Sequence, residues 1–219
     1  MPELGTLPPR IAKLPIDSRG WPVPWFVDWI TNADGVAVPD HRTMDPRKFY
    51  RAIKDRLCWV CGEPLGRWLA FPIGPMCTIT RTTPEPPSHR ECVEWSVQHC
   101  PFLSNPEMVR RHEHLPTDAM PPPGLGLKRN PGVMCEWITR TYETFRVPSS
   151  SGNLKHLITV GEPTEVRWWR EGRTATRAEV EESVTSGLPN LLAAARIDGP
   201  FAVKALGEQA ARAEALWPK

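Results

Sequence analysis

No stretch of this sequence approaches the roughly 18 to 20 consecutive apolar residues of a membrane span. The opening MPELGTLPPRIAKLPIDSRG has no basic start followed by an apolar core. The expectation is a chain with neither a spanning helix nor a secretory leader. An excess of one charge is missing as well: the formal net charge is +2. A dedicated nucleic-acid-binding domain usually shows a clearly basic balance, so only a local basic patch is compatible with that class. No internal repeat is present. The expected compartment is a reducing cytoplasm. There, six cysteines read as metal ligands or buried apolar residues rather than a disulfide framework.

Proline and tryptophan are abundant instead. Of 219 residues, 26 are proline and 10 are tryptophan, and proline is more than twice its usual share of about 5%. Hydrophobic residues make up 40% of the chain, enough for a core. The combination predicts a loop-rich α+β protein whose aromatics pack on extended segments. Residues 1–24 read as extended. WPVPWFVDWI (21–30) reads as an aromatic arm laid over a core or, alternatively, as an exposed site for a partner. ADGVAVPDHR predicts a turn and a short strand. MDPRKFYRAIKDRL predicts a helix with Asp45 as N-cap and Pro46 in its first turn. A further short helix is expected to open at Asn105 and Pro106. Residues 1–114 form the expected zinc-binding N-terminal region, and the Pro/Gly-rich 115–132 forms a linker. Residues 133–219 form a three-stranded antiparallel meander followed by short helices. Its strands are GVMCEWITRTYETFRV, LKHLITV and TEVRWWREG, and the TRAE capping box at 176–179 opens a helix ending at Gly187. Two more short helices follow.

The chemistry concentrates in two short motifs. CWVCG sets Cys58 and Cys61 two residues apart with Gly62 directly after, the geometry of a zinc knuckle. A closed structural zinc site needs four ligands. SHREC supplies a second pair, because Ser88 and Glu91 form a capping-box pattern that starts a helix at His89 and puts His89 and Cys92 in its first turn. The dipole and unpaired amides there also favour a thiolate. Between the pairs, LGRWLAF and CTITRTT are expected to form a hairpin around PIGPM. Knuckle, hairpin and helix in that order describe a treble clef with Cys58, Cys61, His89 and Cys92 on a structural Zn2+. Other readings stand beside it. The Cys-x-x-Cys could be a redox pair, although no βαβ context surrounds it. The cysteines could be core residues. Cys77, His99 or Cys100 could replace one of the four ligands. Cys135 reads as structural, and His112 and His114 fall on near-opposite helical sides.

Two flanking segments are candidate partner surfaces. GPMCTITRTTPEPPSH carries Arg81 and Glu85 on a proline-stiffened approach to His89. It reads as a strap for the second ligand pair or as a recognition loop. RWWREGRTATR carries Arg167, Trp168, Trp169, Arg170 and Arg173. Interleaved Arg and Trp can stack on a nucleic-acid strand, but strand alternation sends one tryptophan to the core.

The stretches LCWVCGEPLG, AFPIGPM, EPPSHREC, CPFL and WWREGRTATRAEV together resemble an uncharacterised family of small zinc-finger-like proteins of bacteria and their phages. The resemblance covers most of the chain and implies a cytoplasmic or phage-encoded setting, without an activity. The treble-clef order also resembles the HNH nucleases. They place a catalytic Asp-His pair on the hairpin, followed by an Asn and a further His on the helix. Here the hairpin has no histidine, and the Asp40-His41 dipeptide precedes the knuckle. The His-x-Glu and Pro-Cys-x-x-Cys order of zinc deaminases is absent. The sequence therefore points to a non-enzymatic, zinc-stabilised protein that binds a macromolecule, with a protein partner favoured over nucleic acid. A metal-dependent nuclease or other phosphate-directed enzyme using His41, Arg81 or Glu85 is the alternative.

Overall fold

A computed structural model describes residues 4–109, 130–148 and 154–219. The chain is α+β, with antiparallel sheets and, among the described residues, six α-helices. A single 3-10 turn at Ile11–Lys13 interrupts the proline-rich start. Strands β1 (Val27–Thr31) and β2 (Ala37–Met44) pair around a turn at Gly35. The arm thus contains a strand as well as extended chain. Helix α1 (Pro46–Lys54) follows, with the Asp45 carboxylate accepting from the Arg47 amide and Pro46 in the first turn, as expected.

The next stretch departs from the expected hairpin. β3 (Leu69–Ile73) leads into a helix, α2 (Pro75–Thr80), and only two residues, β4 (Thr82–Thr83), follow as strand. Pro75 explains part of this: its fixed φ and missing N–H suit the first turn of a helix and spoil a strand. Burial of Ile79 supplies the rest, overriding the strand preference of Thr78, Ile79 and Thr80. Helices α3 (Arg90–His99) and α4 (Pro101–Ser104) come next. The helix expected to open at Asn105 does not form over the described residues. Asn105 instead ends α4, and its side chain accepts from the Glu107 amide. His112, His114 and most of the 115–132 segment lie outside the described residues.

The C-terminal meander is also different. The long strand expected over 133–148 is two strands, β5 (Met134–Thr139) and β6 (Tyr142–Pro148), which enter different sheets. β6 pairs with β7 (Leu154–Val160), and β7 pairs on its other side with β4. β5 pairs with β3 on one side and with β8 (Glu165–Arg170) on the other, and β9 (Arg173–Thr174) adds an edge. Residues from both sides of the 115–132 segment therefore share both sheets. Two helices close the chain, rather than three short ones. α5 (Arg177–Asp198) runs through Gly187 and Pro189, and α6 (Pro200–Glu214) follows. The Thr176–Glu179 capping box forms as expected. Gly187 is a close-approach point: a Cβ there would sit 3.0 Å from the Met76 sulfur of α2.

The sheet of β3, β5 and β8 is covered on both faces, and every residue of β5 is buried. Leu69, Phe71, Cys135, Trp137 and Trp168 point to the side where α2, α5 and α6 pack through Ile79, Val180, Val184 and Leu206. Ala70, Met134, Ile138 and Trp169 point to the other side, where Val93 and Val97 of α3 pack. The period-2 alternation of the strands divides these two sets.

Glu136 interrupts the α3 face. It is 0% exposed and lies across β5–β8 from Arg167. The Trp169 indole donates to its Oε2 at 3.2 Å, while Oε1 has no hydrogen-bond partner and sits 3.9 Å from Arg90 Nε. Above it, Glu165 accepts from both Arg90 and Arg167, and Arg167 also reaches Glu94. Burial pushes the Glu136 carboxyl above its usual range, and the Trp169 bond and the two arginines offset this only in part. A carboxyl that binds its proton more tightly when folded loses stability as pH rises from the ordinary glutamate range of about 4.3. The loss is complete above the folded-state pKa. Glu136→Gln keeps an acceptor for Trp169 and removes the charge. It is expected to be more stable than wild type by a margin that grows with pH and then levels, as read by urea denaturation from about pH 4 to pH 8. A margin that is constant across that range would contradict the burial of an ionisable Glu136.

Candidate metal centre

The knuckle is built from backbone first. Leu57 and Pro64 form an isolated antiparallel bridge, and the Cys58 amide donates to Glu63 O at 2.8 Å. Between them the chain turns back through Gly62, whose amide donates to Cys58 O at 2.8 Å and whose φ is +75°. That left-handed conformation suits glycine. The position also has no room for a side chain, because a Cβ would lie 2.6 Å from Cγ of Trp25. The Trp25 amide in turn donates to Val60 O at 2.7 Å, so the aromatic arm is fastened to the knuckle. Trp59 stacks on Phe26 with centroids 4.8 Å apart, and its amide donates to Pro87 O at 3.0 Å. The proline-rich approach to His89 is thus tied to the knuckle at Pro87.

The second pair enters through Ser88, though not as a cap. Ser88 is buried and exchanges two backbone bonds with Ala70 of β3, at 2.8 and 2.9 Å. His89 is the N-cap of α3 and makes no side-chain capping bond. Glu91 does not reach back to the helix start but pairs with Arg10, which also holds Glu63 of the knuckle. The capping-box reading fails because the Ser88 backbone is committed to β3 and Glu91 to a bridge across the site.

The four expected ligand atoms converge. Those of Cys58, Cys61, His89 and Cys92 all lie within 4.8 Å of one another. His89 Nδ1 is 3.4 Å from Cys61 Sγ and 4.0 Å from Cys92 Sγ. With metal–sulfur bonds of about 2.3 Å and metal–nitrogen bonds of about 2.0 Å, tetrahedral ligand atoms stand about 3.5 Å apart, so the cluster can hold a metal ion. His89 Nε2 donates to Pro64 O at 3.0 Å. A carbonyl only accepts, so this bond puts the proton on Nε2 and leaves Nδ1 to face the sulfurs. The amides of Cys61 and His89 both point at Cys58 Sγ at 3.4 Å and would share the negative charge of a thiolate. Ile11, Leu14, Val60 and Trp95 pack around buried Cys58 and Cys92, so the proline-rich start forms the outer wall of the site.

Electrostatics within the cluster follow from that crowding. Burial alone would push the Cys58 thiol up, but hydrogen bonds from Cys61, Cys92 and His89 outweigh it and hold the thiolate. The same contacts push the His89 imidazole up to about 10, with Cys58 and Cys61 as the causes. Cys92 is raised in turn by its bonds to Cys58 and Cys61 and by burial, so it keeps its proton beside the thiolate. These are the protons a metal ion would displace.

The other candidates are elsewhere. Cys77 is on α2, and Cys135 is buried in the sheet core. Cys100 lies between α3 and α4, and His99 stacks on Trp95 and bonds its carbonyl at 3.0 Å. None of them belongs to the cluster. His41 faces Asp17 at 3.2 Å, and Arg81 bonds Val160 O and pairs with Glu162. The Glu85 amide donates to Thr83 Oγ1 at 3.3 Å. No described contact joins His41, Arg81 and Glu85 into one site. Trp168 and Trp169 are both buried, on opposite faces of the sheet. The opposite faces follow the expected alternation, but both tryptophans are core, so neither is exposed for stacking. Arg167, Arg170 and Arg173 are each ion-paired, to Glu165, Glu182 and Glu179 among others.

Sequence reasoning missed the supporting contacts. Arg10, Trp25 and Pro64 all serve the site, and no spacing rule connects them to the cysteines. Gly62→Ala tests that support. Left-handed backbone and contact with Trp25 both oppose the new Cβ, for a cost of at least about 1 kcal/mol. That corresponds to a fall in melting temperature of about 2 °C or more. Gly66→Ala, where a Cβ meets nothing within 4 Å, should stay within about 0.5 kcal/mol of wild type. Equal effects of the two substitutions in a thermal melt would contradict the geometry of the knuckle.

No family model, curated protein or solved structure matches this chain, so its functional reading rests on the geometry of its own residues.

Proposed function

We propose that this chain is a non-enzymatic protein folded around one structural zinc ion, and that it serves to bind a macromolecular partner. The observation that carries the reading is the mutual approach of Cys58, Cys61, His89 and Cys92 to within 4.8 Å. Three thiolates and one imidazole suit zinc, and four protein ligands leave no position for a reacting water. His89 has both ring nitrogens committed, one facing the sulfurs and one to Pro64, so it is not available as a base. Knuckle, then β3 paired through Ala70 to Ser88, then α3 is a treble-clef-like order, with α2 and β4 inserted between the two paired positions. We place the protein in a bacterial or phage-infected cytoplasm, where thiolates stay reduced. Among the described residues, no helix is long and apolar enough to cross a membrane.

Metal binding of this kind is folding free energy. Structural zinc supplies about 10–16 kcal/mol in finger peptides, which rivals the whole stability of a typical domain at about 5–15 kcal/mol. The purified chain should carry one equivalent of zinc by plasma emission. Cys58→Ser and Cys92→Ser should both lose the metal and unfold the region around α3, seen as loss of near-ultraviolet dichroism from Trp59 and Trp95. Variants that lose zinc, keep that dichroism and lose an enzymatic activity would overturn the structural reading.

A further inference from the structure

The near-zero net charge conceals an uneven division of charges. The arginines of β8 and the start of α5 are ion-paired, as are those flanking the metal cluster. Lys54, Arg56, Arg67, Arg140 and Arg146 are all exposed, and among the described residues none has an ion pair. These five lie along one strip. Arg140, between β5 and β6, stacks on Trp68 at 4.5 Å from the ring centroid, and Arg67 lies 5.9 Å from the same ring. Trp68 is 46% exposed. Arg56 follows α1, and its backbone bonds Leu65, two residues before Arg67. Burial raises the hydroxyl pKa of Tyr142 on β6, and the nearby Arg56 charge opposes it. Tyr142, Thr144 and Arg146 share one face of β6, and Arg146 stands opposite His156. His156 meets the ring of Tyr50 at 5.3 Å. Tyr50 is 53% exposed and lies one helical turn from Lys54 on the same side of α1, which closes the line back to Arg56. The neighbouring acids point elsewhere: Asp55 lies 3.9 Å from Arg51, and Glu143 is on the opposite face of β6.

We propose that this strip binds single-stranded nucleic acid, with bases stacking on Trp68 and Tyr50 and the five unpaired cations following the phosphates. This names the partner class of the binding function proposed above and rests on that reading. Exposed aromatic rings accept bases only when the bases are unstacked, so a single strand fits and a duplex does not. Arg140 holds the Trp68 ring, and a base takes the place of the looser Arg67 contact. A polyanion also answers this surface better than a protein of mixed charge, because none of the five cations has an ion pair among the described residues and Asp55, the acid between Lys54 and Arg56, faces Arg51. Arg56 holds a left-handed backbone at φ 52° where glycine is the usual residue, so Arg56→Gly removes the side chain without opposing the fold.

The test is fluorescence anisotropy of the zinc-loaded full chain with a labelled oligo(dT) of about ten nucleotides. Binding should weaken with salt, with a log–log slope of up to about −3.5 for five phosphate contacts. Trp68→Ala should weaken it about tenfold. Arg140→Ala should weaken it and lower the slope by about 0.7. Arg56→Gly should weaken binding while leaving the melting temperature equal or higher, which separates a lost contact from a lost fold. Arg170→Ala, outside the strip, should change nothing. No binding at low salt, equal affinity for the matching duplex, or strip variants that bind like wild type would each overturn the strip. A lysate capture with and without nuclease separates the two levels of the reading. A nuclease-insensitive protein partner retires the strip and leaves the binding function, whereas no partner under either condition ends both.

Discussion

The pairing of Ala70 with Ser88 holds the rest of the molecule in place. Two backbone bonds, at 2.8 and 2.9 Å, attach the entry of α3 to β3. From that point α3 meets two demands together. Its first turn presents His89 and Cys92 to the knuckle, and its later turns lay Val93 and Val97 over the sheet. β3 in turn pairs with β5, which carries the core on both faces. The Cys/His cluster and the hydrophobic core are therefore mechanically continuous through α3. A metal ion held by the cluster would staple the knuckle to that frame.

Polar groups are distributed to suit that frame. Carboxylates are drawn to places where two elements must be fastened. Glu63 and Glu91 share Arg10 across the knuckle and α3, while Glu165 joins Arg90 and Arg167 above Glu136. Exposed pairs of this kind add little stability each, commonly below about 1 kcal/mol. Their larger consequence is on the charge map. By consuming acids and arginines together, they leave Lys54, Arg56, Arg67, Arg140 and Arg146, near Trp68 and Tyr50, among the exposed cations that have no ion pair within the described residues.

Features whose determinant is local are legible in the sequence. Asp45 and Pro46 start α1, Thr176 and Glu179 cap α5, and the Cys-x-x-Cys-Gly turn forms a knuckle. The second ligand pair was legible too, since two ligands three apart share a helical turn. The readings that failed depended on partners distant in the chain. Thr and Ile in 78–80 look like strand, yet Pro75 and the burial of Ile79 make them helix. VMCEWITRTYETFRV looks like one strand, yet its halves enter two sheets. Gly187 looks like a helix end, yet α5 continues through it and through Pro189 because Val180, Val184 and Ala195 all pack on the core. Strand alternation sends one of Trp168 and Trp169 to the core, yet both are buried because both faces of β8 are covered.

The sequence by itself determined the α+β class and the four residues of the Cys/His cluster, because ligand spacing and the position of Gly62 act within a few residues. Tertiary structure alone decided how the halves interleave, why Glu136 is buried and which cations are left unpaired. These depend on which strand lies beside which and which acid reaches which arginine, and separations such as Arg10 to Glu91 or Trp68 to Arg140 leave no local trace. CWVCG and SHREC are therefore recognisable as a pair without the fold. The neighbours of Trp68 depend on the chain leaving one sheet at β5 and entering another at β6.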